Sequence, residues 1–129
     1  MNIKAFISIV ILLFSSLMVI NAKSVTETNS KSVSAMLQKS HKWVVLDVRT
    51  AEEFNQGHIK GAINIDIRQP NALENIDKLD HNAKYIVHCR TNHRSKIAVD
   101  HMRQNGFKTV YQMMDGMDGW IQNKLPTEK

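Results

Sequence analysis

Three short runs rich in β-branched residues, WVVLDV (43–48), KYIVH (84–88) and KTVYQM (108–113), lie far apart in the chain with helix-patterned stretches between them. Runs of this length, apolar almost throughout, read as strands buried on both faces. The connections are too long for hairpins and long enough for helical crossovers, so the strands are expected to run parallel. SVSAMLQK (32–39) reads as a helix, AEEF as a brief helical turn ended by Gly57, and AINI (62–65) as a short strand. NALENIDKL (71–79) follows Pro70 as a helix with Asn71 as its cap, SKIAVDHMRQN (95–105) is a helix stopped by Gly106, and a last helix surrounds Trp120. The expected fold is a three-layer α/β domain, a mostly parallel central sheet with helices on both faces. No internal repeat, heptad or low-complexity tract interrupts it. With 129 residues, 43% of them apolar, the chain suits one such domain, placed at residues 23–129.

The first 22 residues differ from the rest. Lys4 precedes an uncharged, mostly apolar run at residues 5–20 that leads to Asn21 and Ala22, the order of a secretory signal cleaved after Ala22. The run is about 16 residues, near the short limit for crossing a bilayer, so the alternative is a retained anchor through residues 5–20. Either reading predicts an exported protein, periplasmic if the signal is removed. A lipid-modified cysteine at the cleavage site is excluded, because the single cysteine lies far away at position 89. The net charge of +5 is spread along the chain with no dense basic run or aromatic-basic ladder, which argues against nucleic acid as a partner. Such an excess can instead concentrate a small anion near a cleft.

Export gives the cysteine count its weight. A lone cysteine in an oxidising compartment has no internal partner and is either an inert buried thiol or a reactive one. Cys89 stands in HCRTNHRS (88–95), at the carboxyl end of a central strand and before a helix. Ligands of open α/β sheets bind at that edge. The first amides of the helix have no intrahelical partners and favour an anion, so the thiolate of Cys89 is expected to be stabilised by them and by Arg90 and Arg94. Cys89 is therefore the candidate nucleophile. A phosphatase loop would place its arginine five residues beyond the cysteine, whereas Arg94 arrives one residue early and position 95 is serine. The tighter ring suits a terminal sulfur on Cys89 better than a tetrahedral oxyanion.

The chain resembles the single-domain rhodaneses, the thiosulfate sulfurtransferases, in an exported form. LDVRTAEEFNQGHIKGAINI (46–65) is similar to the family's first signature, CRTNHRS (89–95) to its catalytic loop, and GFKTVYQMMDGMDGW (106–120) to its closing signature. Two positions depart from the pattern: Asn92 replaces the loop glycine and Asp115 the first glycine of the closing pair. Both positions are expected to need a positive φ, which Asn and Asp tolerate better than other non-glycine residues. The Asn92 side chain is expected to cover part of the rim or to add an amide donor.

The resemblance implies a rhodanese-like fold and two-step covalent catalysis. Cys89 would take the outer sulfur of thiosulfate or a similar small anionic donor, release sulfite, and pass the sulfur from a persulfide to a thiol, cyanide or a protein cysteine. Arg90, Thr91, Asn92, His93, Arg94 and Ser95 would bind substrate through their amides and side chains, with no metal or organic cofactor required. Asp47 and Glu53 are candidates to orient Arg94 or Arg49 by ion pairing. His58 resembles the family's structural histidine. His88 and His93 flank Cys89, but a strand residue next to Cys89 normally points to the opposite face, which argues against a metal site. Met113, Met114 and Met117 are read as core rather than as copper ligands, and Trp120 as the anchor of the last helix. A monomer is expected, with membrane as a partner only if the first segment is retained. The alternatives are a non-catalytic persulfide carrier or binding module and, disfavoured by the short loop, a phosphatase or arsenate reductase on the same scaffold.

Overall fold

The computed structural model describes residues 25–129, so the signal or anchor read at residues 1–22 lies outside it. Five strands, β1 (Thr26–Thr28), β2 (Trp43–Asp47), β3 (Ile63–Asn64), β4 (Lys84–His88) and β5 (Thr109–Met113), form one sheet in the order β1-β5-β4-β2-β3, all pairs parallel. Five helices are described: α1 (Ser30–Lys39), α2 (Ala51–Gln56), α3 (Ala72–Asp77), α4 (His93–Gln104) and α5 (Gly116–Gln122). The expected three-layer α/β architecture is the one observed.

Alternation along the strands sorts the core into two halves. Leu46, Tyr85, Val87 and Val110 pack with Ile76 of α3 and with Ala98, Val99 and Met102 of α4. Val45, Ile86 and Met113 pack against the other side, with Val33 of α1 and Met117 and Trp120 of α5. Trp120 is held there by its indole N–H, which donates to the carbonyl of Pro126 at 3.0 Å. The register Val45↔Ile86 and Asp47↔His88 then puts Asp47 and His88 on the α1/α5 face, while Cys89, one residue on, joins the α3/α4 face.

β1 is an addition to the sequence reading. Its residues, Thr26, Glu27 and Thr28, carry no apolar signal because a strand that, among the described residues, pairs with β5 alone needs none. Asn29 then caps α1 by accepting from Ser32 N at 3.0 Å. Three helix starts also differ from expectation, and α1 begins at Ser30, two residues earlier than expected. Asn71 precedes α3 without a side-chain cap bond, and α4 begins at His93, two residues before the apolar pattern becomes visible.

The connection from β2 leads toward β3, and that from β4 leads the opposite way, toward β5. Neighbouring strands whose connections diverge open a crevice at their carboxyl ends. The residues after β2, from Val48 to Glu53, and those after β4, from Cys89 onward, meet there. Among the described residues no helix is long and apolar enough to cross a membrane.

Candidate active site

Cys89 follows β4 directly and is only 1% exposed. Residues 90–92 turn the chain into α4, and its first turn brings the Ser95 hydroxyl to 3.5 Å from Cys89 Sγ. The loop is fixed from behind by α5. Met117 N–H donates to the Cys89 carbonyl at 2.8 Å and Asp118 N–H to the Arg90 carbonyl at 3.0 Å. In a trans peptide the N–H points opposite to the carbonyl. Turning these two carbonyls toward α5 therefore turns the amides of Arg90 and Thr91 away from it, toward the inside of the loop. Among the described residues, the backbone N–H groups of residues 90–95 donate to no group outside the helix ladder. Partially positive amides thus line the turn around the one thiol.

Gly116 makes the close approach of α5 feasible. Its φ is +58°, and a Cβ built there would lie 2.3 Å from the Arg90 carbonyl oxygen and 2.4 Å from that of Thr91. The two departures from the glycine pattern are a correction to the sequence reading, because neither residue has a positive φ. Asn92 sits at φ −146° and Asp115 at φ −87°. Gly116 supplies the left-handed conformation beside the loop instead. The Asn92 side chain is turned away from the rim, its amide donating to the Met114 carbonyl at 3.2 Å. Asp115 ties α1 to α5: its carboxylate accepts from Ser30 N at 2.8 Å and from Ser30 Oγ at 2.6 Å.

Two acid–arginine pairs organise the crevice. Glu53 takes both terminal nitrogens of Arg94, at 2.6 and 3.0 Å, while closing a capping box with Thr50 at the start of α2. The Arg94 bond is the main reason the Glu53 carboxyl is held at about 2, against an ordinary 4.5. The same bond raises the guanidinium of Arg94 further. Asp47, fully buried, accepts from Arg49 Nε and Nη2 and from the Arg49 backbone, and Arg49 Nη2 also donates to the Gly57 carbonyl at 2.8 Å. The pairs are thus Glu53 with Arg94 and Asp47 with Arg49.

The remaining loop residues face outward. Arg90 is 68% exposed and donates to Asp118 Oδ1 at 3.2 Å, Thr91 is exposed, and His93 is the exposed first residue of α4. A cleft of about 460 Å³ lies beside Arg90, with Arg49, Glu53, Gln56 and Ile121 among its walls. His88 is completely buried, with Nδ1 2.9 Å from the Cys89 carbonyl and Nε2 3.6 Å from Asp47 Oδ2. Burial lowers its pKa, against the opposing pull of Asp47, and keeps the ring neutral. His58 stacks on Phe54 and bonds its carbonyl at 2.9 Å, a scaffold position.

Two side chains near the loop escape the sequence reading. Gln112 of β5 is 6% exposed and reaches both Ser95 Oγ and the Asn92 carbonyl. Its only signal is a polar residue at an inward strand position. Asp118, the partner of Arg90, has no signal beyond its charge.

A buried thiol in a turn of unengaged amides, at the switch point of a parallel sheet, is an arrangement suited to holding a small anionic group on a cysteine. The sequence profile of the Rhodanese-like domain matches residues 29–123, and the chain belongs to that family. Thiosulfate sulfurtransferase 16 of Arabidopsis thaliana chloroplasts is 34% identical over 103 residues, covering 72% of this chain and 84% of that protein. A Bacillus subtilis protein whose name describes a sulfur carrier is 29% identical over 100 residues, 78% of this chain; the match spans about half (53%) of that longer protein. Among solved structures, a rhodanese-related protein of Thermoplasma volcanium superposes with a TM-score of 0.71 at 28% identity, covering 80% of this chain and 97% of the other. The polysulfide-sulfur transferase homodimer of Wolinella succinogenes gives 0.67 at 27% identity, with 81% and 78% covered. At the level of the family, these relatives support sulfurtransferase chemistry.

Proposed function

We propose that this protein moves a sulfane sulfur from thiosulfate or a similar anionic donor to a nucleophilic acceptor through a persulfide on Cys89. The observation that carries the reading is the ring itself: Cys89 Sγ lies 3.5 Å from the Ser95 hydroxyl, within a turn whose amides from residue 90 to residue 95 are unengaged by the described residues. In the first step the Cys89 thiolate attacks the outer sulfur of thiosulfate. The sulfur–sulfur bond of the donor breaks and sulfite leaves with the electron pair. The outer sulfur of the persulfide is then the anionic end, and the ring amides are placed to stabilise it. In the second step an acceptor thiolate or cyanide attacks that sulfur and Cys89 returns as thiolate. Arg94, fixed by Glu53, supplies a stationary positive charge beside the ring, and exposed Arg90 offers an approaching anion its first contact.

The test is to give the purified protein thiosulfate and cyanide, or an aryl phosphate, and to compare it with Cys89→Ser. Thiocyanate formed by the wild type and lost in the variant supports the reading; phosphate release overturns it. A persulfide carrier is the second reading, favoured by the 1% exposure of Cys89, which shelters a bound sulfur from small acceptors. A carrier would gain the sulfur yet turn over slowly with every small acceptor offered. We also propose that residues 1–22 send the protein to the periplasm and are removed there, with anchoring through residues 5–20 as the alternative. The amino terminus of the protein recovered from its native compartment decides between them.

A further inference from the structure

Gln112 presents a buried amide where the pattern of β5 calls for an apolar residue. It shares the α4-facing side of the strand with Val110, which is core, and its side chain ends against the catalytic loop. Nε2 carries two hydrogens and has two acceptors within reach, the Asn92 carbonyl at 3.1 Å and Ser95 Oγ at 3.0 Å. The Asn92 carbonyl also accepts from Lys96 N–H at 3.1 Å and lies 3.2 Å from Ser95 Oγ. Ser95, fully buried, therefore has three neighbours for one hydroxyl: Gln112 N–H, the Asn92 carbonyl and Cys89 Sγ.

The chemistry of these groups restricts the hydroxyl to two orientations. Gln112 offers Ser95 a donor only, so one lone pair of Ser95 Oγ is always taken from that side. With its hydrogen on the Asn92 carbonyl, Ser95 has its second lone pair free to accept from the Cys89 thiol. With its hydrogen turned to Sγ, Ser95 donates to a thiolate, and the Asn92 carbonyl keeps its bonds from Lys96 and Gln112. None of these groups is left unpaired in either state, so the turn of the hydroxyl carries no desolvation penalty. Without Gln112 the Asn92 carbonyl loses a donor and competes harder for the one hydroxyl hydrogen, to the detriment of the thiolate.

We infer that Gln112 is a positioning residue that frees the Ser95 hydroxyl to accept from the Cys89 thiol and donate to its thiolate, so that the nucleophile ionises without stranding a buried polar group. The inference deepens the sulfurtransferase reading and rests on it only for the persulfide state; the ionisation of Cys89 can be followed with no sulfur donor present.

The experiment measures the rate of Cys89 alkylation by iodoacetamide across pH in the full protein. The proteins compared are wild type, Gln112→Leu, Gln112→Glu, Ser95→Ala and the Ser95→Ala/Gln112→Leu double variant. Weakening the charge-assisted hydrogen bond from Ser95 to the thiolate predicts alkylation slowed at neutral pH, by up to about tenfold, and a pH midpoint moved upward for Gln112→Leu. Gln112→Glu keeps the size and shape but accepts the Ser95 hydrogen, so it should slow alkylation at least as much. In the Ser95→Ala background the Leu substitution should add no further slowing. Gln112→Met repeats the measurement if the Leu variant does not fold. An unchanged profile in the Leu or Met variant, wild-type behaviour of the Glu variant, or an undiminished effect in the Ser95→Ala background would each overturn the inference. Mass spectrometry of thiosulfate-treated wild type separately reports whether the sulfurtransferase reading stands.

Discussion

Replacing Glu53 by Gln isolates the charge in the pair that pins Arg94. The amide keeps the length of the side chain and one oxygen for the Thr50 capping box, but it loses the charge and one of two acceptors for the guanidinium. The magnitude is bounded by how far the carboxyl is depressed, to about 2 from an ordinary 4.5, chiefly by Arg94 and in part by Thr50. Each decade is equivalent to about 1.4 kcal/mol, which sets a ceiling of roughly 3 kcal/mol. Water still reaches both partners, Arg94 at 16% and Glu53 at 28% exposure, and screening reduces the expected loss to about 1–2 kcal/mol at neutral pH. The sign of the pH dependence is set by the direction of the shift. A carboxyl with a depressed folded-state pKa stabilises fully above its ordinary value, and that stabilisation disappears as pH falls from about 4.5 to about 2. Urea denaturation at neutral pH should find Glu53→Gln less stable by that amount with an unchanged slope, and the gap should close through the acid window. Equal stability at neutral pH, or a gap that persists unchanged to pH 2, would refute the assignment of this energy to the Glu53–Arg94 pair.

Two further perturbations test the loop from its other sides. Gly116→Ala forces a side chain into left-handed backbone at φ +58° and within 2.3 Å of the Arg90 carbonyl, so α5 must withdraw from the loop. A loss of about 3 kcal/mol or more is expected, with Cys89 alkylation at neutral pH slowed as well, measured by denaturation and iodoacetamide kinetics. His88, kept neutral by burial, leaves the unfolded chain to take up a proton that the folded chain refuses. Stability should therefore fall as pH drops below about 6.5, and His88→Asn should lack that part of the acid dependence in denaturation curves across the window.

The parts of the fold that bury apolar surface were legible in the sequence. β2, β4 and β5 are apolar on both faces because both faces are covered, and HCRTNHRS sits where a strand must hand over to a helix. β1 left no trace because Thr26, Glu27 and Thr28 satisfy an edge through backbone bonds alone. The conformations of Asn92 and Asp115 differ from the expected positive φ for a related reason. Glycine at a loop position suggests a need for positive φ, but Gly116 meets the steric demand next door, and the side chains of Asn92 and Asp115 are used as ties to Met114 and Ser30. Gln112 was hidden because a single polar residue in a strand looks the same whether it faces water or the Cys89 loop, and only the packing of β5 against α4 distinguishes the two. The sequence names Asp47, Arg49, Glu53 and Arg94 without a pairing, and the pairing of Glu53 with Arg94 and of Asp47 with Arg49 depends on the crevice between β2 and β4.

The proposed sulfur transfer requires a second sulfur on Cys89. Treating the intact protein with thiosulfate, removing excess donor and mapping the peptides by mass spectrometry measures this directly. The addition of one sulfur atom on the peptide holding Cys89, removed by cyanide or a thiol and absent from Cys89→Ser, is the predicted result. A Cys89 peptide that stays unmodified under excess thiosulfate and polysulfide, in protein whose thiol alkylates normally, would contradict it.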